Sequence, residues 1–194
     1  MKFEKIKSIF SRIPVIETPR LLLRKMRVTD AKDMFEYAKR SDVTRYLLWS
    51  PHPNVDHTRE YLGFLQSQYK SGDFYDWAII LKEKNKMIGT CGFTTIDTVN
   101  NSAEIGYVIN PAYRNIGIAT EAVTAVLRFG FSEMGFQRIE ARYMVGNSAS
   151  RRVMEKCGMH FEGIHLSSMY VKEKYVDVGI CAILREKFIR TFGL

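Results

Sequence analysis

One short run holds the residues best suited to chemistry: Asn110-Pro111-Ala112-Tyr113-Arg114-Asn115-Ile116-Gly117-Ile118-Ala119-Thr120-Glu121-Ala122. Alternating apolar residues precede it and helical apolar spacing follows, so it joins a strand to a long helix. A turn that opens a helix points several N–H groups one way, and the helix dipole adds positive potential there; together they make an anion site. Gly117 and Ala119 lack bulk and let a phosphate approach the backbone. Arg114 offers a charge-assisted contact. Small residues at such a turn also serve plain helix–strand packing, and the residues alone leave both readings open.

The other reactive side chains lack comparable spacing. Cys91, Cys157 and Cys181 are odd in number and far apart, which fits neither a disulfide framework nor a metal set. Cys157 falls on an apolar helix face and the other two in strands, so buried, inert thiols are expected. His52, His57, His160 and His165 have neither ligand nor triad spacing, and no metal is expected. A dinucleotide-binding oxidoreductase would need Gly-x-Gly-x-x-Gly after an early strand, and that pattern is absent. Tyr46, Trp49, Tyr61, Tyr75 and Trp77 are candidates to line an acceptor cleft, where Asp76 could meet an ammonium; core packing is the competing reading for each aromatic.

The elements that must position these residues follow from length and pattern. The 194 residues, 46% hydrophobic and 26% charged, suit one domain. No apolar run reaches the roughly 18–20 residues of a membrane span, and the N-terminus does not read as a secretory signal. A reducing cytoplasm is the expected compartment. Net charge is +8, and Met1 to Arg27 alone hold eight positives against two negatives. Such a face favours a polyanion, such as nucleic acid, a ribosome or a polyphosphate cofactor, or is simply solvated. Residues 1–16 read as a basic extension containing a short amphipathic helix.

Beyond it, Leu21 to Met26 predicts a strand, Thr29 or Asp30 a cap for a helix to Arg40, and Asp56 to Lys70 a second helix. Phe74–Leu81 and Met87–Ile96 predict a hairpin. Ala103 to Ile109 predicts a strand with Ala103, Ile105, Tyr107 and Ile109 on one face and Glu104, Gly106 and Val108 on the other. A helix from Ile118 to Met134, a strand from Arg138 to Val145, a helix capped by Asn147 and stopped by Gly158, and two strands to Arg185 complete a mixed α/β (α+β) domain.

Four blocks together resemble the GNAT family, and within it the ribosomal-protein N-terminal acetyltransferases. Arg114-x-x-Gly117-x-Ala119 is similar to the family's CoA pyrophosphate cradle, continued by Thr120-Glu121-Ala122. Asn147-x-x-Ser150, running to Glu155-Lys156-x-Gly158, resembles a second block. Thr18-Pro19-Arg20-Leu21 with Leu23-Arg24 resembles the opening strand, and Asp177 an Asp of the closing one. The resemblance spans about Glu17 to Phe188 and implies a domain at 17–188. It implies a central sheet of about six to seven strands, splayed between the fourth and fifth, with about four helices. It implies acetyl-CoA as co-substrate, without metal. The acceptor would be a primary amine, most readily a protein N-terminus, with a small amine or a non-catalytic ribosome- or RNA-binding module as alternatives.

By the same resemblance, Arg114, Asn115, Ile116, Gly117, Ile118, Ala119 and Thr120 cradle the pyrophosphate. Val108 or Ile109 supplies an oxyanion amide, and Asn147 and Ser150 meet the pantetheine arm near the thioester. Ser150 is then the candidate to assist the departing thiolate. Glu104, on the groove face, is the candidate general base, since an α-amine is largely protonated at neutral pH. The chain departs from the subgroup at Asn115 and Ile116, where Gly and a basic residue are common, and at Met154, where many GNAT enzymes carry a proton-donating Tyr. A ribosome contact through residues 1–16 is a further expectation, membrane association is not expected, and monomer and homodimer both stay open.

Overall fold

Apolar and β-branched residues between Tyr75 and Ile109 fold as three consecutive antiparallel strands, and the other elements build outward from them. The computed structural model describes residues 3–193. Strands β1 (Ile16–Glu17), β2 (Leu21–Arg24), β3 (Tyr75–Leu81), β4 (Lys86–Asp97), β5 (Ser102–Ile109), β6 (Arg138–Met144), β7 (His160–Val171) and β8 (Lys174–Leu184) form one sheet in the order β1-β2-β3-β4-β5-β6-β8-β7. Among the described residues, only β5 and β6 run parallel. Ser102, Ala103 and Glu104 pair with Arg138, Ile139 and Glu140, and pairing stops there. Yet β4 holds β5 as far as Ile109, and β8 holds β6 to Met144. Two strands anchored on their outer sides therefore part and leave a gap.

Helices α1 (Phe3–Ser11), α2 (Ala31–Ala38), α3 (Ser41–Thr44), α4 (Val55–Ser71), α5 (Ile118–Ser132), α6 (Ser148–Lys156) and α7 (Arg185–Phe192) cover the sheet. Both counts exceed the expectation for physical reasons. The two-residue β1 and single-turn α3 are too short to show a period, and α7 follows β8 with no turn residue between. α7 carries the domain past residue 188, with Phe188 stacked on Phe131 at 5.1 Å between ring centroids. No described helix is long and apolar enough to cross a membrane.

The segment set apart in sequence as an extension contributes to the core. Ile6 and Phe10 on α1 are 1% and 0% exposed, a burial worth roughly 1.5–3 kcal/mol for each side chain. Phe10 meets Tyr75 at 4.8 Å and Trp77 at 5.6 Å, and Trp77 meets Phe129 of α5 at 5.5 Å. α1 and α5 thus share one sheet face, while α2 and α4 take the other. Three of the eight basic residues of Met1 to Arg27 are neutralised from outside that segment: Lys7 pairs with Asp73, Arg20 with Glu121, and Arg24 with Asp30.

Candidate active site

The turn before α5 has the backbone shape that its residues imply. Gly117 is the N-cap of α5 with φ 81° and ψ 2°, a left-handed conformation that glycine takes at little cost. Asn115 is also left-handed, with φ 62°. Its departure from Gly is accommodated because Asn is among the few other residues that tolerate this region. Ile116 projects outward, 55% exposed, while Ile118 is 1% exposed and fixes the first turn of α5 in the core. Alternating left-handed residues ahead of a helix N-terminus form a concave set of N–H groups suited to a phosphate.

A clasp that sequence reasoning missed holds this turn from behind. The Glu121 carboxylate accepts from the Thr18 hydroxyl at 2.6 Å, the Arg20 amide at 3.0 Å and Arg20 Nε at 2.6 Å. Another guanidinium nitrogen of Arg20 donates to the Ile116 carbonyl at 2.7 Å. A Cβ on Gly117 would lie 3.3 Å from that guanidinium. Burial pushes the Glu121 carboxyl up, but the bonds from Thr18 and Arg20 outweigh it and hold the group below the usual carboxylate range.

A cavity of about 400 Å³ runs from this turn to the gap between β5 and β6. Arg114, Asn115, Gly117, Ile118, Ala119 and Thr120 line one end; Tyr107, Val108, Ile109, Asn147 and Ser150 line the other, with Val43, Tyr46 and Leu47 closing it. Ile116 points away and offers only its backbone. Burial lowers the Arg114 pKa, and Asp42 beside it acts the other way. At the far end the Asn147 side chain caps α6 by accepting from the Ser150 amide at 3.2 Å.

Strand alternation selects one amide for the gap. Asn110 N donates to Ile88 O on β4 at 2.8 Å, so the Val108 amide also points to β4 and the Ile109 amide points into the gap. Tyr107, singled out in sequence only as a strand-face residue, sends its hydroxyl to Ser150. It lies 2.9 Å from both the Ser150 carbonyl and Ser150 Oγ. Burial raises the phenol well above its usual range, although Ser150 opposes the shift, so it stays protonated at working pH. Glu104 stands at the last paired position before the strands part, opposite Glu140, with Oε2 3.2 Å from Arg142 Nε. It is on the rim and does not line the cavity.

The aromatic acceptor candidates separate by sheet face. Tyr75 and Trp77 pack on Phe10 in the core. Tyr46 lines the cavity and donates to Gly146 O at 3.2 Å. Trp49 and Tyr61 gather about His52 at 5.2 and 5.9 Å between ring centroids. All three cysteines are buried. Burial pushes the Cys157 thiol up to about 11 and Cys91 and Cys181 up as well. Among the described residues no cluster of three or more His, Cys, Asp or Glu is placed to hold a metal.

The comparisons with known proteins converge on this geometry. The family model for the acetyltransferase (GNAT) domain matches residues 20–160. The uncharacterized N-acetyltransferase p20 of Bacillus licheniformis is 32% identical over 171 residues, covering 88% of this chain and 96% of its own. The structure of a GNAT-family acetyltransferase from Bacillus anthracis is 34% identical and superposes with a TM-score of 0.79 over 89% of this chain and 99% of that one. RimL, a ribosomal α-N-protein acetyltransferase solved in complex with coenzyme A, has the same fold at 21% identity, with a TM-score of 0.75 over 88% of this chain and 98% of its own. With the phosphate-shaped turn, the parted parallel strands and the matched family model in agreement, this chain belongs to the GNAT acetyltransferase family.

Proposed function

We propose that this acetyltransferase takes acetyl-CoA as donor and a primary amine as acceptor, the amine attacking the thioester directly while both are bound. A protein N-terminal α-amine, of the ribosomal-protein type, is the leading acceptor class. One observation carries the reading: a single cavity joins a phosphate-shaped turn to a hydroxyl pair and an inward amide where two parallel strands part. The backbone of residues 114–120 and the Arg114 guanidinium would hold the pyrophosphate. Val108, Ile109 and Asn147 would flank the arm.

Each chemical need then has a residue. An α-ammonium has a pKa of about 7.7–8.0 and must lose a proton before attack. Glu104 is the proposed base and acts through a water, because its carboxylate stands on the rim. The Ile109 amide faces the oxygen that gains charge as nitrogen adds to the acetyl carbon. As the C–S bond breaks, Ser150 Oγ gives a proton to sulfur, supported from behind by Tyr107, and regains one from the newly acetylated nitrogen, which must shed its second proton to become an amide. The cysteines are buried with raised pKa values, which disfavours an acyl-cysteine intermediate. A ribosome contact at the N-terminus would rest on exposed Lys5 and Arg12 more than on the ion-paired Lys7, Arg20 and Arg24.

The test is release of free thiol from acetyl-CoA with a panel of peptides and small amines, combined with mass analysis of the acceptor. A gain of one acetyl group on a peptide α-amine supports the leading class. Binding of CoA without any transfer would make the domain a binding module and overturn the proposal.

A further inference from the structure

The last paired residues before β5 and β6 part are two carboxylates, Glu104 and Glu140. Like charges directly opposed across a strand pair repel, so a cation is needed to hold both there. Arg142 lies two residues beyond Glu140 on the same face of β6. Its Nε and Nη2 donate to Glu140 Oε1 at 3.1 and 2.9 Å. Its contact with Glu104 Oε2, with Nε at 3.2 Å, is ionic alone. Glu140 Oε2 also accepts from Arg138 at 3.2 Å. Arg138 in turn reaches over β8 to both carboxylate oxygens of Glu162 on β7, at 2.7 and 2.5 Å. A line of alternating charge, Glu104–Arg142–Glu140–Arg138–Glu162, thus runs from the rim of the gap to the far edge of the sheet.

The line sets three carboxylates against two guanidiniums, and the hydrogen bonds are shared unequally. Glu140 receives from both arginines, and Glu162 receives twice from Arg138. Glu104 meets a positive charge while Arg142 leaves its lone pairs free. On its other side Glu104 pairs with Thr95 of β4, which carries no charge. Stability does not account for the arrangement. The side chains of Glu104, Glu140 and Arg142 are 21, 23 and 46% exposed, and ion pairs so open to water contribute little to it.

We infer that Glu140 is a positioning residue for acetyl transfer: by taking both hydrogen bonds of Arg142 it keeps that guanidinium beside Glu104 without bonding it, so that Glu104 stays charged yet free to accept a proton. The inference rests on the reading of Glu104 as base and adds what holds it ready. The acceptor ammonium gives a proton to a water, the water gives one to Glu104, and the freed nitrogen lone pair attacks; Glu104 later returns the proton to solvent. Without Arg142 the two facing carboxylates would hold a proton between them, and Glu104 would be filled before the ammonium arrives. With residue 140 uncharged, Arg142 would turn its donors to Glu104 and tie up the lone pairs that the proton needs.

The experiment follows kcat and KM across pH for the best acceptor of the peptide and amine panel. It uses wild type, Glu140→Gln and Arg142→Gln, each also in a Glu104→Gln background, with CoA affinity measured by calorimetry. Glu140→Gln should lower kcat near pH 7 by about 10-fold, part of the roughly 10²–10⁴-fold that a general base supplies, and move the acid limb of the profile to lower pH. Arg142→Gln should move that limb to higher pH and recover wild-type kcat in alkali. CoA affinity should hold in both. In the Glu104→Gln background both losses should disappear, because no base remains to be positioned. Acid limbs that stay in place or move the same way, or losses of equal size without Glu104, overturn the role and make the line a structural strap. If Glu140→Gln does not fold, the upward shift in Arg142→Gln, present with Glu104 and absent without it, decides the matter. No transfer to any acceptor, or Glu104→Gln with full activity, removes the reading beneath the inference; Glu104→Gln impaired beside Glu140→Gln unimpaired sinks the inference alone.

Discussion

The two ends of the reaction cavity are built on different principles. The end near α5 is made of backbone: left-handed φ at Asn115 and Gly117, a helix N-terminus and one guanidinium, all within residues 114–120. The other end, where β5 and β6 part, is made of side chains that β-register and helix packing bring together, with Tyr107 on Ser150 and Glu104 beside Arg142 on the rim. A backbone site needs particular residues at particular neighbours. A side-chain site needs partners that lie far apart in the chain. The first should therefore fail outright when one residue is wrong, and the second should fail by degrees and in selectivity.

Gly117→Asp is the sharpest way to break the first end. The new residue would have to hold φ 81°, crowd Arg20 and set a negative charge where the phosphates are proposed to bind. CoA binding by calorimetry should vanish, while thermal unfolding shifts only modestly. Full binding in this variant would mean that the turn is packing alone. On the acceptor side the largest effect belongs to Glu104→Gln. General-base help is typically about 10²–10⁴-fold, so turnover near neutral pH should fall within that range with CoA affinity intact. The deficit should shrink as pH passes the acceptor's own pKa, because free amine needs no base. Parallel pH–rate curves for variant and wild type would leave Glu104 as a strand residue held by Arg142.

What could be read from the sequence follows the same division. The Arg114–Thr120 turn, the Asn147 cap, the Gly158 stop and the strand faces of β5 depend on neighbours within a few residues, and local spacing exposes them. The clasp joins Thr18 and Arg20 to Glu121, 103 and 101 residues away, with no local signal. Nor does any pattern announce that Asp76, Gly92 and Gly106 fall in one row, because that depends on the β-bulges between Ile79 and Ile80 and between Phe93 and Thr95. Strand alternation alone would have divided Asp76 from Tyr75 and Trp77, leaving only Tyr46, Trp49 and Tyr61 as cleft candidates.

A stability measurement sharpens the picture of Asp76 without any ligand. Burial pushes its carboxyl up to about 7, against 3.8 as an ordinary value. A raised acid favours the folded state fully below 3.8 and loses that contribution as pH climbs to 7, because the unfolded chain ionises first. Asp76→Asn copies the protonated form at every pH. Its stability relative to wild type should therefore rise between about pH 4 and 7, by at most about 4 kcal/mol at 1.36 kcal/mol for each pKa unit. Urea unfolding at pH 5 and pH 8 would register the difference, and equal stability increments at both would place the carboxyl in water. On the cradle side a gentler change is Glu121→Gln. It keeps the shape and weakens the bonds to Arg20, so CoA affinity should drop by about 10-fold, in line with 1.5–3 kcal/mol for a hydrogen bond to a charged group. An unchanged affinity would mean that the turn keeps its form without its clasp.

The smallest effect is expected at Tyr107, where β5 and β6 part. Its hydroxyl holds Ser150 through two contacts of 2.9 Å, and its high pKa keeps it a donor. Tyr107→Phe removes the hydroxyl and leaves the ring, so packing between β5 and α6 should survive. Ser150 Oγ then loses a partner and orients less well toward the departing sulfur. One neutral hydrogen bond contributes about 0.5–1.5 kcal/mol, which corresponds to a few-fold loss in turnover. If Tyr107 acts by positioning Ser150, the loss should appear in kcat and leave KM for the amine unchanged. It should also disappear in a Ser150→Ala background, because nothing remains to be positioned. Equal losses in both backgrounds would mean that Tyr107 reaches the sulfur itself and donates the proton, taking the role that the chain's Met154 cannot fill.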